Sequence, residues 1–311
     1  MRPSVPLLLA ASLLTLISTG SWAASAAKAA KPGKPRTSAE IISQSTDREW
    51  RSLNPDNTLL MELPQGQVLI ELAPRFAPRH AANIRTLTRS GFYDGLAIVR
   101  VQDNFVTQWG DPNADDAALA KPLGRAAPKL PAEFAVPLKG LGAALTRLPD
   151  VDGWAPVSGF VDGFPVAANT KENKAWLVHC YGMVGAGRSD AVDSSTGAEL
   201  YAVIGHAPRG LDRNITVVGR VIQGMELLAS LPRGGPNMGF YEQPAQRTAL
   251  LRTRLLADIP AAERPALQVL RTDSKSWQQL LETRRNRGGW FVHSPAHIEI
   301  CSAAVPTRPG K

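Results

Sequence analysis

Two periods alternate along the middle of the chain, one of strands and one of a helix. Apolar runs over Thr58–Leu63 and residues 67–72, parted by Pro64-Gln65-Gly66, predict two strands in a tight hairpin. From Pro78, which a first helical turn tolerates, Ala81, Ile84 and Leu87 recur at helical spacing and Gly91 follows as a stop. This predicts an amphipathic helix of about three turns. Ile98, Val99 and Val101 then have strand propensity, so Arg100 stands inside a strand rather than in a polar tail. The next run, Phe105-Val106-Thr107-Gln108-Trp109, again sets one polar side chain among bulky apolar ones. Residues at even separation share a face of an extended chain. Two such strands on one sheet surface can bring a guanidinium, an amide and an aromatic ring to a shallow apolar patch.

The flanks are less regular. Residues 40–51 predict a short helix before a Pro-Asp-Asn break. Residues 112–176 are rich in Pro, Gly and Asp, with Trp154, Phe160 and Phe164 among them; such aromatics imply packing rather than disorder. Gly224-Met225-Glu226-Leu227-Leu228 opens a second helix that ends before Pro232. Further on, residues 266–270 predict a strand, and Asp273 or Ser274 can cap a helix carrying Trp277, Leu280 and Leu281. Residues 291–292 and 297–305 predict additional strands.

Composition narrows the setting. A hydrophobic fraction of 44% over 311 residues is ordinary for a globular chain. Arg2, the apolar run 5–17 and Ser21-Trp22-Ala23 read as a secretory leader cut after Ala23 or Ala26. That run is too short to span a bilayer, and no later segment approaches the length, so a periplasmic or secreted monomer without a transmembrane segment is expected. The net charge is +8, and Lys28, Lys31, Lys34 and Arg36 lie in an Ala/Pro-rich stretch with no acid before Glu40. Such a flexible basic linker serves solubility or weak attraction to an anionic membrane. No basic stripe is interleaved with aromatics, so nucleic acid is not an expected partner. Cys180 and Cys301 stand far apart; a bridge or two buried free thiols are both open. The five histidines lack ligand spacing, Gly140-Leu141-Gly142 and Gly185-Ala186-Gly187 lack the third glycine of a dinucleotide loop, and no Gly-x-Ser-x-Gly occurs. Neither a metal nor a cofactor is expected.

The block Gly91-Phe92-Tyr93-Asp94-Gly95, then Arg100, then Phe105, Gln108 and Gly110-Asp111 resembles the cyclophilin-type peptidyl-prolyl isomerases. In that family a G-F-Y-D-G turn precedes a strand containing Arg and then F-x-x-Q-x-G-D. The resemblance resumes at residues 176–186 and 197–203, and at Leu211-Asp212 with the strand that follows to Val221. It covers roughly 56–235, interrupted by an insertion at about 112–176. What it implies is a mainly β fold, a closed eight-stranded antiparallel barrel with a helix capping each end. Residues 1–26 would be the leader, 27–55 a basic linker and lead-in, and 236–311 a small α+β appendage packed on the barrel.

The resemblance also implies a chemistry. An X–Pro bond rotates over a barrier near 20 kcal/mol, and no nucleophile or cofactor is needed to lower it. The catalyst has to bind the twisted amide better than either planar form. On twisting, the prolyl nitrogen becomes pyramidal and its lone pair localises, so a cationic donor beside it finds a new acceptor. Arg100 is expected in that role, Gln108 in orienting the peptide carbonyl and Arg100, and Phe105 beside them. Phe105, Val106, Tyr201 and Leu211 would floor a pocket for the proline ring, and Ala186 would line the neighbouring groove by backbone contact. Several positions depart from the family pattern: Val106 for Met, Glu199 for Gln, Tyr201 for Phe, Gly210 for a bulky residue and Ile215 for His. Glu199 near Arg100 could steady the guanidinium or compete for it, and the open wall at Gly210 predicts poor binding of cyclosporin-type inhibitors. The expected partners are proline-containing segments of unfolded or flexible proteins. The alternative is a non-catalytic peptide-binding or assembly module on the same barrel.

Overall fold

The computed structural model describes residues 36–310, apart from the side chain of Ala207. The expected leader with its cleavage point, and Lys28, Lys31 and Lys34, lie outside the described residues.

The hairpin forms where the apolar runs place it, with Thr58–Leu63 antiparallel to Gly66–Leu72. A sheet of nine strands among the described residues grows from it. Its order is Thr248–Ala249, Ala97–Val101, Val106–Gly110, Leu200–Val203, Met183–Ala186, Val217–Gln223, Gly66–Leu72, Thr58–Leu63 and Arg252–Leu255. All neighbours are antiparallel. The sheet curls into a half-barrel rather than the expected closed barrel of eight strands. The reason lies in residues 248–255. The Leu250 N–H bonds the Leu96 carbonyl at one edge and the Leu251 N–H bonds the Glu62 carbonyl at the other. The chain crosses there from one edge to the other, so two short strands form and the ladder is not continuous.

The helix Pro78–Arg89 packs Ala81, Ile84 and Leu87 onto the concave side with Val68, Ile70, Ile98 and Trp109. Its N-cap, Ala77, offers no side-chain acceptor. Glu133, from the 112–176 stretch, takes its place by accepting from the Arg79 and His80 N–H groups, each at 3.0 Å. The second helix is a single turn, Met225–Ala229, which buries Leu228.

The aromatic-bearing insertion folds as a five-stranded antiparallel sheet, ordered Val136–Pro137, Lys174–Leu177, Phe164–Asn169, Val157–Val161 and Thr146–Arg147. Phe160 and Phe164 are buried in it, whereas Trp154 is exposed. The expected helix over 40–51 is shorter. Thr37 and Glu40 form a capping box for Ser38–Ser43, and Trp50–Ser52 leaves the helix to pair with Leu267–Leu270.

The stretch after 235 is not an appendage of its own. Residues 248–255 belong to the main sheet, and Leu267–Leu270 lies between Trp50–Ser52 and Thr307–Pro309. Ser274 caps the helix Lys275–Arg285, whose Trp277 meets Phe160 edge to face at 5.0 Å between ring centroids. Strands at 291–292 and 297–305 do not form. Phe291 and Val292 are exposed with no strand beside them. Residues 297–305 hold a single turn, Ile300–Ser302, fixed by the Cys180–Cys301 bridge and by Asp150 accepting from the Ile298 N–H. The bridge resolves the open question about the cysteines and closes a separation of 121 residues. On the chain-entropy argument a loop of that size stabilises the fold by about 4–5 kcal/mol.

Candidate functional site

Strict alternation would put Arg100 on the same face as Ile98, inside the concave core. A register irregularity between Ile98 and Arg100 prevents this. Ile98 and Val101 both face the core, and Arg100 is turned to the convex side. There it sits opposite Gln108, which in turn sits opposite Tyr201 on the next strand. Three adjacent strands thus put a guanidinium, an amide and a phenol in one cross-strand row.

Arg100 is half-buried. Its Nη1 donates to Gln108 Oε1 at 3.0 Å, its Nη2 to Gln102 Oε1, and its Nε to the Met238 carbonyl at 2.7 Å. The Phe105 and Phe240 rings lie 5.4 and 5.1 Å from the guanidinium carbon. An arginine has five N–H donors, so two remain for a ligand after these three bonds among the described residues. Burial lowers the Arg100 pKa and the charge of Glu199 opposes that shift only in part; the group stays a cation.

Gln108 is buried, with 7% of its surface exposed. Its carbonyl accepts from Arg100 and its amide donates to Glu199 Oε1, so both ends of the side chain are fixed. Glu199 therefore reaches Arg100 through Gln108 rather than by a direct ion pair. Burial raises the Glu199 pKa; the Gln108 hydrogen bond opposes this, the Asp115 charge adds to it, and Arg100 opposes it again.

Tyr201 lies flat across Gly185, where an added Cβ would come within 2.2 Å of the phenol. Only glycine leaves room for that ring. The Tyr201 hydroxyl bonds His179 Nε2 at 2.9 Å, and His179 Nδ1 bonds Asp212 at 2.9 Å. Burial, and then the Asp212 charge, hold the phenol well above its ordinary pKa, so it is a neutral hydroxyl. Asp212 also accepts from Arg209, which reaches Asp152 of the insertion and Glu299 near the C-terminus. Two segments outside the main sheet thus brace Tyr201, through Asp212 and His179, by one buried guanidinium.

Arg100, Phe105 and Gln108 are brought into contact, with Glu199 joined to them. Val106 and Tyr201 are in the apolar cluster under this face, and Phe105 and Leu211 pack against it half-exposed. Ala186 is elsewhere. It belongs to the concave core, is fully buried, and its N–H and C=O bond Thr216 and Ser195. Gly210 is exposed with open space around its Cα. Sequence reasoning did not anticipate Phe240, Met238 and Gln102 around Arg100, or His179 behind Tyr201. The first two arrive on a glycine-rich turn, 234–240, that carries no periodic signal. His179 stands next to Cys180 in an apolar run and reads as a core histidine.

A profile of the family described as cyclophilin type peptidyl-prolyl cis-trans isomerase/CLD matches residues 58–254. A probable peptidyl-prolyl cis-trans isomerase of Brucella suis is 30% identical over 187 residues, covering 58% of this chain and 74% of that protein. A peptidyl-prolyl cis-trans isomerase-like 1 of Gibberella zeae is 22% identical over 200 residues, 64% of this chain and 95% of that one. The crystal structure of the cyclophilin AquaCyp293 from Hirschia baltica superposes with a TM-score of 0.69 at 26% identity, over 89% of this chain and 99% of that one.

Proposed function

The chain belongs to the cyclophilin-type peptidyl-prolyl cis-trans isomerases, and we propose that it turns X–Pro bonds in unfolded or flexible exported proteins by binding the twisted amide. In this reading the two unoccupied N–H donors of Arg100 meet the prolyl nitrogen as its lone pair localises. A charge-assisted hydrogen bond of this kind contributes about 1.5–3 kcal/mol. An acceleration of roughly 10⁵ requires about 7 kcal/mol, so Arg100 does not suffice alone. The half-buried setting between two rings strengthens its field, and Gln108 anchors the peptide carbonyl. Phe105, Val106, Tyr201 and Leu211 take the proline ring.

One observation carries this reading: Arg100 is held by an amide, a second amide and a carbonyl, with no carboxylate on it among the described residues. Its charge remains free for an acceptor that appears only on twisting. A protease-coupled assay on an X-Pro peptide, with Arg100→Ala as the comparison, tests it. Wild type well above background and the variant near background supports the reading. Equal rates at background would instead favour a peptide-binding module.

An exported setting is part of the proposal. It draws on the leader in the sequence and on the Cys180–Cys301 bridge, which suits an oxidising compartment. N-terminal sequencing of the protein from an osmotic-shock fraction should give a start after Ala23 or Ala26; an intact Met1 in the cytosolic fraction would reject it.

A further inference from the structure

The helix Lys275–Arg285 runs into a turn with the sequence Asn286-Arg287-Gly288-Gly289-Trp290-Phe291-Val292-His293. Its tip is apolar and bare. Trp290 is 89% exposed, Val292 104% and Phe291 40%. Trp290 and Phe291 meet edge to face, with centroids 5.3 Å apart. Single apolar residues on a surface need no explanation, but three in succession on one turn mark a contact surface. Their exposure means that they contribute little to the fold's own packing.

The surroundings of the tip are basic. Ser38, Thr283, Arg284, Arg287, Gly288 and Phe291 line one hollow beneath it. The Arg287 guanidinium lies 5.0 Å from the Phe291 ring and donates to the Arg284 carbonyl. Arg284 donates to the Ala304 carbonyl. Neither guanidinium has a carboxylate partner among the described residues. Nearby acids are engaged elsewhere: Asp150 pairs with Arg285, and Glu282 accepts from Asn286. Arg36, bonded to Gln279 on the same helix, is where the described chain begins.

We propose that this tip is a docking surface for an anionic lipid bilayer. Trp290, Phe291 and Val292 enter the interfacial layer, and Arg36, Arg284 and Arg287 meet the headgroups. Tryptophan favours that layer because its ring is apolar and its N–H is polar. One weak apolar anchor binds only marginally, and a basic patch beside it supplies the second contribution that stable attachment needs. Three side chains on one turn are small against the ~800 Å² per partner of a stable protein interface. A bilayer takes such a tip without a matching pocket, and the unpaired cations fix the sign of its charge.

Co-sedimentation of the full chain with vesicles tests this, using phosphatidylglycerol mixed with phosphatidylcholine against phosphatidylcholine alone at low salt. The wild type should sediment with the anionic vesicles. The variant Trp290→Ser/Phe291→Ser/Val292→Ser should bind them about tenfold or more weakly. Arg287→Gln should lose about three- to fivefold, and the loss should shrink as salt is raised. All variants keep the same N-terminal segment, so a difference between them belongs to the tip. The thermal midpoint of the triple variant should match wild type. Absence of wild-type binding overturns the proposal. So does a triple variant that binds like wild type, or one whose midpoint falls because the tip is packed. A wild-type dimer that the triple variant abolishes, with no vesicle binding, would identify a second copy as the occupant instead.

Discussion

Arg100 and Arg220 stand in strands of the same sheet and look alike in sequence, each a lone cation among apolar neighbours. Their surroundings differ. Arg220 donates twice to the Glu71 carboxylate and once to the Gly163 carbonyl, and Arg51 adds a second guanidinium to the same Glu71. Arg209 is likewise enclosed by Asp152, Asp212 and Glu299. Arg100 has neutral acceptors and two aromatic faces. A buried guanidinium whose task is structural is neutralised where it stands, because an unpaired buried charge is costly. One kept half-buried on neutral acceptors retains a field that can act on something else. Most strand arginines are salt-bridged, as Arg220 is; Arg100 is hydrogen-bonded to neutral acceptors instead.

Breaking the Glu71 cluster should have the largest effect. Arg220→Ala leaves Glu71 buried with Arg51 as its remaining partner, and denaturant unfolding should show a loss of about 3–5 kcal/mol. The rate per folded molecule should be near wild type. Arg100→Ala should give the reverse pattern. Its isomerase kcat/KM should fall by about 10²–10³, the usual loss on removing a donor to a developing charge, with stability within about 1 kcal/mol of wild type. If Arg100→Ala unfolds the protein and Arg220→Ala abolishes turnover at full stability, the two roles have been assigned the wrong way round.

Much of this contrast was visible in the sequence, and some of it could not have been. Within the strand Val106–Gly110 the residues alternate, Val106 on the site side and Trp109 in the core with Gln108 opposite it, whereas Phe105 just before the strand packs on the same side as Val106. Arg100 is different, because even spacing from Ile98 puts it in the core. Only the irregularity at Val99 turns it outward, and a bulge leaves no mark in apolar periodicity. Phe240 and Met238 come from a glycine-rich turn far along the chain, so no local pattern ties them to Arg100. The half-barrel was missed for a related reason. Whether residues 248–255 close a ladder or straddle it depends on which edge each N–H finds, and that is a tertiary outcome. An oxidising compartment would permit the disulfide, but its reality rests on bringing residue 301 back to residue 180.

A smaller effect should separate the pocket floor from the guanidinium. Tyr201→Phe keeps the ring and deletes the hydroxyl that His179 meets at 2.9 Å. Leaving the buried ring nitrogen without that partner should cost about 1–3 kcal/mol of stability. The ring proposed to receive proline remains, so kcat should stay within a fewfold of wild type, and any change should appear in KM as the ring loosens. His179→Gln, whose amide can still reach the Tyr201 hydroxyl, should restore more of the KM than His179→Ala. A kcat collapse in Tyr201→Phe would instead place the hydroxyl among the groups that touch the rotating amide.

The smallest effect expected is also the one that tests Glu199. Burial raises its pKa, so in the folded protein it holds a proton at pH values where the unfolded chain has already lost one. Its contribution to stability is therefore fully present below the ordinary carboxyl range and is lost as pH rises through the raised value. Glu133 runs the other way. Burial pushes its carboxyl up, but the bonds from the His80 ring and from the His80 and Arg79 N–H groups outweigh this and lower it. Its contribution is present above the ordinary value and is lost as pH falls through the lowered one. Denaturant midpoints measured across the acid range should thus shift in opposite senses in Glu199→Gln and Glu133→Gln. For turnover, an ionised Glu199 offsets part of the Arg100 charge through Gln108. Protonating it, or replacing it with Gln at neutral pH, should leave that charge less compensated and raise kcat/KM by roughly two- to fivefold, within what one indirect charge can contribute. Should Glu199→Gln lower the rate instead, the carboxylate acts by holding Gln108 and Arg100 in place, and steadying outweighs competition.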